Sequence, residues 1–150
     1  MPQSLAHIIL HVVFSTKDRL PLIDADMAPR LHAYLATVCR DQGCHAYRIG
    51  GVADHVHLAT TLSRTLAVAK LVEHVKKVSS VWMKDQGAMY ERFFWQHGYG
   101  AFSVSPTHVD DVVGYIAGQY EHHRQATFQE EFRRFLTRYH IEYDERYVWD

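Results

Sequence analysis

Short β-branched apolar runs alternate with amphipathic helical stretches along this chain, in the order β-α-β-β-α-β-β-α-α. The order contains a split β-α-β core, and 150 residues fit one domain that buries roughly 70% of its unfolded surface. Together these observations predict an α+β fold, an antiparallel sheet with helices on one face in the ferredoxin-like or RRM-like style. No segment reads as a linker, repeat or low-complexity tract, so residues 1–150 are expected to be a single domain.

Residues 7–14 (His-Ile-Ile-Leu-His-Val-Val-Phe) predict the first strand, and residues 15–21 close it as a loop. Asp24 is placed to cap a helix over about 26–41, in which Leu31, Leu35 and Val38 repeat at helical spacing before Gly43 ends it. A second strand covers about 44–50, and the double glycine Gly50-Gly51 turns the chain into a third, 54–62, as a hairpin. Thr65 opens a helix that runs to about Lys84. Residues 93–96 read as a strand, 97–100 as a turn and 101–105 as another strand. Pro106 and Thr107 begin a third helix, with Asp110 and Asp111 in its first turn, where carboxylates suit the positive helix end. Thr127 stands three residues before Glu130, a capping-box spacing that starts the last helix, to about Tyr139. In a sheet of this topology the 54–62 strand is central, with part of one face left as a working surface.

Composition narrows the function classes. Apolar residues make up 47% and charged residues 22%, which excludes a disordered chain. A formal net charge of −1 excludes a protein that coats nucleic acid indiscriminately. Charge is nonetheless uneven: residues 64–84 carry five positive side chains against one negative, and residues 107–150 five against nine. The basic helix either tracks a phosphate backbone through Lys70, Lys76 and Lys77 or is a solvated face. No uncharged apolar stretch approaches the roughly 18 residues that cross a bilayer, and residues 1–4 lack the layout of a secretory signal. Cys39 and Cys44 read as reduced core thiols of a cytoplasmic protein.

The 54–62 strand carries His55-Val56-His57, whose two imidazoles share one face because alternate strand residues do. That is a two-nitrogen grip for a divalent metal. With 12 histidines in the chain, chance alone supplies roughly one such pair, so the alternative of two strand histidines satisfied by backbone or water stands beside it. Tyr115 and Gln119, four apart, project from one side of the third helix. An amide oxygen and two neutral imidazoles would hold Mg²⁺ or Mn²⁺ with open positions and its full charge. The Tyr115 phenol beside that cation would be a nucleophile toward a phosphodiester, giving a covalent phosphotyrosine and a free 3′-OH. One phosphodiester replaces another, so the step is reversible. Tyr115 as an amphipathic core tyrosine is the structural alternative.

Five features in order carry a family resemblance: Phe14-Ser15-Thr16-Lys17-x-Arg19, the His55–His57 pair after Asp54, the aromatic and glycine-rich stretch from Trp95 to Ser105, Tyr115-x-x-x-Gln119, and His122-His123 with Arg146-Tyr147-Val148-Trp149. Together they resemble the single-tyrosine HUH transposases of the insertion-sequence 200/605 group and the related REP-associated tyrosine transposases. The resemblance spans essentially the whole chain. It implies an obligate homodimer whose two sheets join, each site combining one subunit's histidines with the tyrosine helix of the same or the other subunit. It also implies single-stranded DNA with hairpins as the substrate, cleaved and rejoined without hydrolysis or ATP, and hence a nucleoid-associated protein. His55 and His57 match the metal-binding pair, Tyr115 the nucleophile and Gln119 the third ligand. A non-catalytic or domesticated hairpin-binding module of the same fold is the rival reading, and a histidine–metal hydrolase a third.

Gly118 departs from the polar residue expected in the family motif. Gly114 and Gly118 each cost roughly 1 kcal/mol of helix propensity relative to Ala, and close helix packing is favoured over a mobile tyrosine helix as their reason. Tyr99 and Tyr120 are rival nucleophiles, the first in a glycine-rich turn and the second pointing away from the Tyr115–Gln119 side. His122 and His123, adjacent on a helix, diverge by about 100° and so are not expected both to face the metal. Phe93, Phe94 and Trp95 read as core in preference to base-stacking rings. Lys17 and Arg19 contact phosphate or belong to a solvated loop.

Overall fold

A computed structural model describes residues 2–150 of the chain. The apolar runs form β1 (Ile9–Ser15), β2 (Ala46–Val52), β3 (His55–Thr61) and β4 (Gly100–Val104), one antiparallel sheet in the order β2-β3-β1-β4. The histidine-bearing β3 is therefore interior, as the sequence predicts. Period-two alternation divides its residues and those of β1 between two faces.

One face carries Leu10, Val12, Phe14, Val56 and Leu58, and the two crossover helices α1 (Met27–Asp41) and α2 (Val68–Lys84) seal it with Leu31, Leu35, Leu71 and Val75. Asp24 Oδ1 accepts the Met27 N–H at 2.8 Å and so supplies the expected cap of α1. The second long helix starts at Val68, three residues later than expected, because the Thr65 hydroxyl bonds the Ser63 hydroxyl at 3.2 Å and caps nothing.

The opposite face carries His11, Val13, His55, His57 and Phe102. It is covered by α3 (Val109–Ala117), the four-residue α4 (Gln119–His122) and α5 (Phe128–Arg138). Thr127 Oγ1 accepts the Glu130 N–H at 3.1 Å and starts α5 as predicted. Phe128, Phe132 and Leu136 recur every fourth residue along α5 and pack on Val13 and Phe102. The expected open working surface is therefore roofed, and His55 and His57 are fully buried.

Two local expectations give way to tertiary packing. Residues 93–96 form no strand: beyond Val13, opposite Gly100, β1 has no β4 partner, and only a single bridge between Thr16 and Trp95 fills the vacated edge. Phe93 and Trp95 instead turn their rings into the core, 4.7 Å apart, while Phe94 stays half exposed. The double glycine is not the hairpin turn either, since β2 runs through it to Val52 and the chain turns at Ala53 and Asp54.

Gly50 has a different task. A Cβ there would stand 2.7 Å from Ile116 Cγ2 and 3.0 Å from the Ile116 carbonyl oxygen, so the missing side chain lets α3 lie directly on β2. Gly50→Val should therefore lift the helix that carries Tyr115 and cost roughly 1–3 kcal/mol by overpacking, read as a drop of several degrees in Tm. A variant melting with the parent chain would show that α3 is not seated on Gly50.

Among the described residues no helix is long and apolar enough to cross a membrane. Cys39 and Cys44 are buried free thiols, as expected, and burial pushes the Cys39 thiol up to about 12.

Candidate active site

β3 delivers both histidines to the α3–α5 side, and each ring is held at its outer nitrogen. His55 Nδ1 lies 2.7 Å from Asp54 Oδ1, and His57 Nδ1 lies 2.7 Å from Nε2 of His11, contributed by β1. The inner nitrogens point at one carboxylate, Glu131 of α5: His57 Nε2 at 2.9 Å and His55 Nε2 at 3.3 Å, both from Oε1. Oε2 of the same carboxylate accepts the Tyr115 hydroxyl and, at 3.1 Å, the Gln119 side-chain N–H. Gln119 Oε1 lies 3.0 Å from His55 Nε2. The four residues expected to act together, His55, His57, Tyr115 and Gln119, are thus gathered around a fifth that the sequence did not single out.

His122 and His123 correct a second expectation, because both reach Glu131 Oε2, at 3.4 and 3.2 Å. Helical divergence does not separate the two rings because α4 ends at His122, leaving His123 at the helix end. The packing reading of Gly114 and Gly118 is also overturned. A Cβ at Gly114 would meet nothing within 4 Å, and one at Gly118 only helix carbonyl oxygens at 3.6 and 3.7 Å. The two glycines instead lower the helix propensity of the segment around Tyr115.

Electrostatics follow from burial. Burial pushes His57 down to about 4 and, together with His57, His11 down to about 3, so both rings are neutral near pH 7. For His55 burial works against charge, but the Asp54 and Glu131 carboxylates outweigh it and raise its pKa. Glu131 is held well below the usual carboxylate range, its burial being overcome by the imidazoles of His123, His55 and His57 that surround it. The Tyr115 phenol is raised, by burial first and then by Glu131, which holds its proton in this arrangement.

The donor pattern fits a cation. Asp54 takes the Nδ1 proton of His55, and the Nε2 of the charged ring turns a second proton toward two acceptors, Gln119 Oε1 and Glu131 Oε1, a proton that a cation would displace. His123 gives its Nδ1 proton to the Ala126 carbonyl at 2.7 Å, and its Nε2 is buried without a hydrogen-bond partner against Glu131 Oε2. Acceptors facing one another need a proton or a metal ion between them. Ligand atoms from His55, His57, His123 and Glu131 all lie within 4.8 Å of one another. Two donors at right angles on a cation with bonds of about 2.1 Å stand about 3 Å apart, close to the 2.9 and 3.3 Å separations of the two strand imidazoles from Glu131.

Beside this cluster opens a cleft of about 760 Å³, with Tyr115, Glu131, His122 and His11 in its wall and Arg134 and Arg138 as its cations. The expected phosphate contacts stand elsewhere. Lys70, Lys76 and Lys77 are on α2, across the sheet; Lys70 pairs with Glu73 at 3.2 Å, and Lys77 is exposed. Lys76 donates to the carbonyls of Gln96, His97 and Gly98 at 2.6–3.0 Å, and burial lowers it to about 8. Lys17 is exposed, and Arg19 donates to the Trp149 carbonyl at 3.0 Å. Of the rival tyrosines, Tyr120 and Tyr99 are 58% and 38% exposed, and neither touches the cluster.

A four-stranded antiparallel sheet in the order β2-β3-β1-β4 with helices on both faces is an α+β fold similar to that of a solved tyrosine transposase. Residues 4–119 match the family described as "Transposase IS200 like", and the chain belongs to that family. No curated protein matches the sequence. Among solved structures it is similar to a candidate transposase of Deinococcus radiodurans R1 (19% identity, TM-score 0.61, covering 79% of this chain and 98% of that one). It is also similar to a REP-associated tyrosine transposase bound to a REP hairpin (14% identity, TM-score 0.57, covering 82% of this chain and 74% of that one). The family match ends at Gln119, so His122, His123 and Glu131 lie beyond it.

Proposed function

We propose that this chain is a single-domain DNA strand transferase that cleaves and rejoins single-stranded DNA at insertion-sequence ends through a covalent 5′-phosphotyrosine on Tyr115. The observation that carries the reading is the meeting of the Tyr115 hydroxyl and both strand histidines on one buried carboxylate. His55, His57 and Gln119 would hold Mg²⁺ or Mn²⁺, which when bound draws charge from a phosphodiester oxygen and favours attack at phosphorus.

The protein groups divide the remaining work. His11 and Asp54 fix the two imidazoles with Nε2 inward. Arg134 and Arg138 in the cleft receive the phosphate backbone. Tyr115 Oη bonds to phosphorus as the bond from phosphorus to the 3′ oxygen breaks; the phenolic proton leaves and the 3′ oxygen departs as a hydroxyl. Attack by a 3′-OH reverses the step and frees the tyrosine. In the resting site the Tyr115 hydroxyl is engaged by Glu131, and the weakened helix around Gly114 and Gly118 supplies the freedom a tyrosine segment needs to change partners. The family and the hairpin-bound relative support hairpin-bearing DNA as the partner. The homodimer rests on the family likeness, with β2 and β4 as the free sheet edges.

Single-stranded DNA bearing a hairpin from the flanks of the coding region, labelled and mixed with the protein and Mn²⁺, should give a protein–DNA adduct that survives denaturing electrophoresis and is lost in EDTA. Binding without an adduct would assign the hairpin-binding module, and free 5′-phosphate ends without an adduct the hydrolase.

A further inference from the structure

Glu131 divides its oxygens between two sets of partners. Oε1 faces His57 Nε2 and His55 Nε2 at 2.9 and 3.3 Å, while Oε2 accepts from the Tyr115 hydroxyl and Gln119. The carboxylate is 1% exposed, and α5 is pinned beneath it by Phe128, Phe132 and Leu136, so it has little room to turn. It stands outside the family-matched residues 4–119.

We propose that Glu131 is a positioning residue that bridges cation and nucleophile: Oε1 joins His55 and His57 in holding the divalent metal while Oε2 holds the Tyr115 hydroxyl. The inference rests on the metal-dependent reading above and adds a ligand that reading does not contain. A carboxylate shares its charge between its oxygens. Engaging Oε1 with a cation makes Oε2 a poorer acceptor and loosens its hold on the phenolic proton. By reciprocity, removing the phenol makes Oε1 a better ligand. Metal occupancy and release of the nucleophile are then one coupled event.

Mn²⁺ affinity without DNA, measured by calorimetry on the full chain, Tyr115→Phe, Glu131→Gln and the double variant, tests this coupling. Glu131→Gln should weaken Mn²⁺ binding at least about tenfold. Tyr115→Phe should tighten it about fivefold where Glu131 is present and leave it unchanged in the Glu131→Gln background. An equal effect of Tyr115→Phe in both backgrounds, or unchanged binding in Glu131→Gln, overturns the bridge. Should Glu131→Gln fail to fold, Glu131→Asp takes its place: a shortened carboxylate should bind Mn²⁺ more weakly and respond less to Tyr115→Phe, and full retention of both properties overturns the inference. A parent chain that binds no Mn²⁺ removes the metal-dependent reading itself, whereas Mn²⁺ binding with an additive cycle removes the bridge alone.

Discussion

Tyr115→Phe is expected to abolish the covalent DNA adduct, by at least about 10⁴-fold, in a chain that still folds. The ring is packed edge-on against His11, His57 and Phe135 at centroid distances of 6.2, 5.8 and 5.9 Å, and phenylalanine preserves all three contacts. What disappears is one hydrogen bond to Glu131 Oε2, which keeps the Gln119 N–H at 3.1 Å. The stability cost is therefore about 1 kcal/mol, a shift of a few degrees in Tm. Denaturing electrophoresis and a thermal melt read the two effects separately. An adduct persisting in Tyr115→Phe would transfer the nucleophile to Tyr120 or Tyr99, exposed phenols that the Glu131 carboxylate does not reach.

Local pattern carries much of this chain: four of the five expected strands, the interior place of β3, and the face that His55 and His57 share. Those facts follow from period-two alternation and from element order, both readable along a few residues. The site's centre was not readable in the same way, because Glu131 meets His57 across 74 positions and His55 Nε2 meets Gln119 across 64. A local trace did exist. Glu131 interrupts the apolar stripe of Phe128, Phe132, Phe135 and Leu136, and a carboxylate on the buried side of a helix needs partners. Gly50 shows the opposite failure. Its sequence is that of a turn, yet the reason for the missing side chain is a helix more than 60 residues away. Phe93 and Trp95 resemble strand residues because burial and strand formation favour the same side chains; only the shortage of a β1 partner separates the two.

The histidine pair carries the other large effect, and burial changes its expected outcome. Replacing His55 and His57 together by Ala should eliminate Mn²⁺ binding and cleavage, and the fold also loses stability. In the folded chain the two imidazoles compensate Glu131 Oε1, a carboxylate oxygen with no solvent to turn to. Deleting them leaves a buried carboxylate with neither partner on Oε1, a loss worth roughly 3–5 kcal/mol, or about 10 °C in Tm for a domain of this size. Adding Glu131→Gln to the double variant should recover much of that stability, since a neutral amide needs less compensation, while restoring neither metal binding nor cleavage. Thermal melts of the parent, double and triple variants in EDTA separate the two roles. Equal midpoints for double and triple variants would mean that Glu131 draws its compensation from Tyr115, Gln119, His122 and His123 alone, and that the strand histidines serve the cation and nothing else.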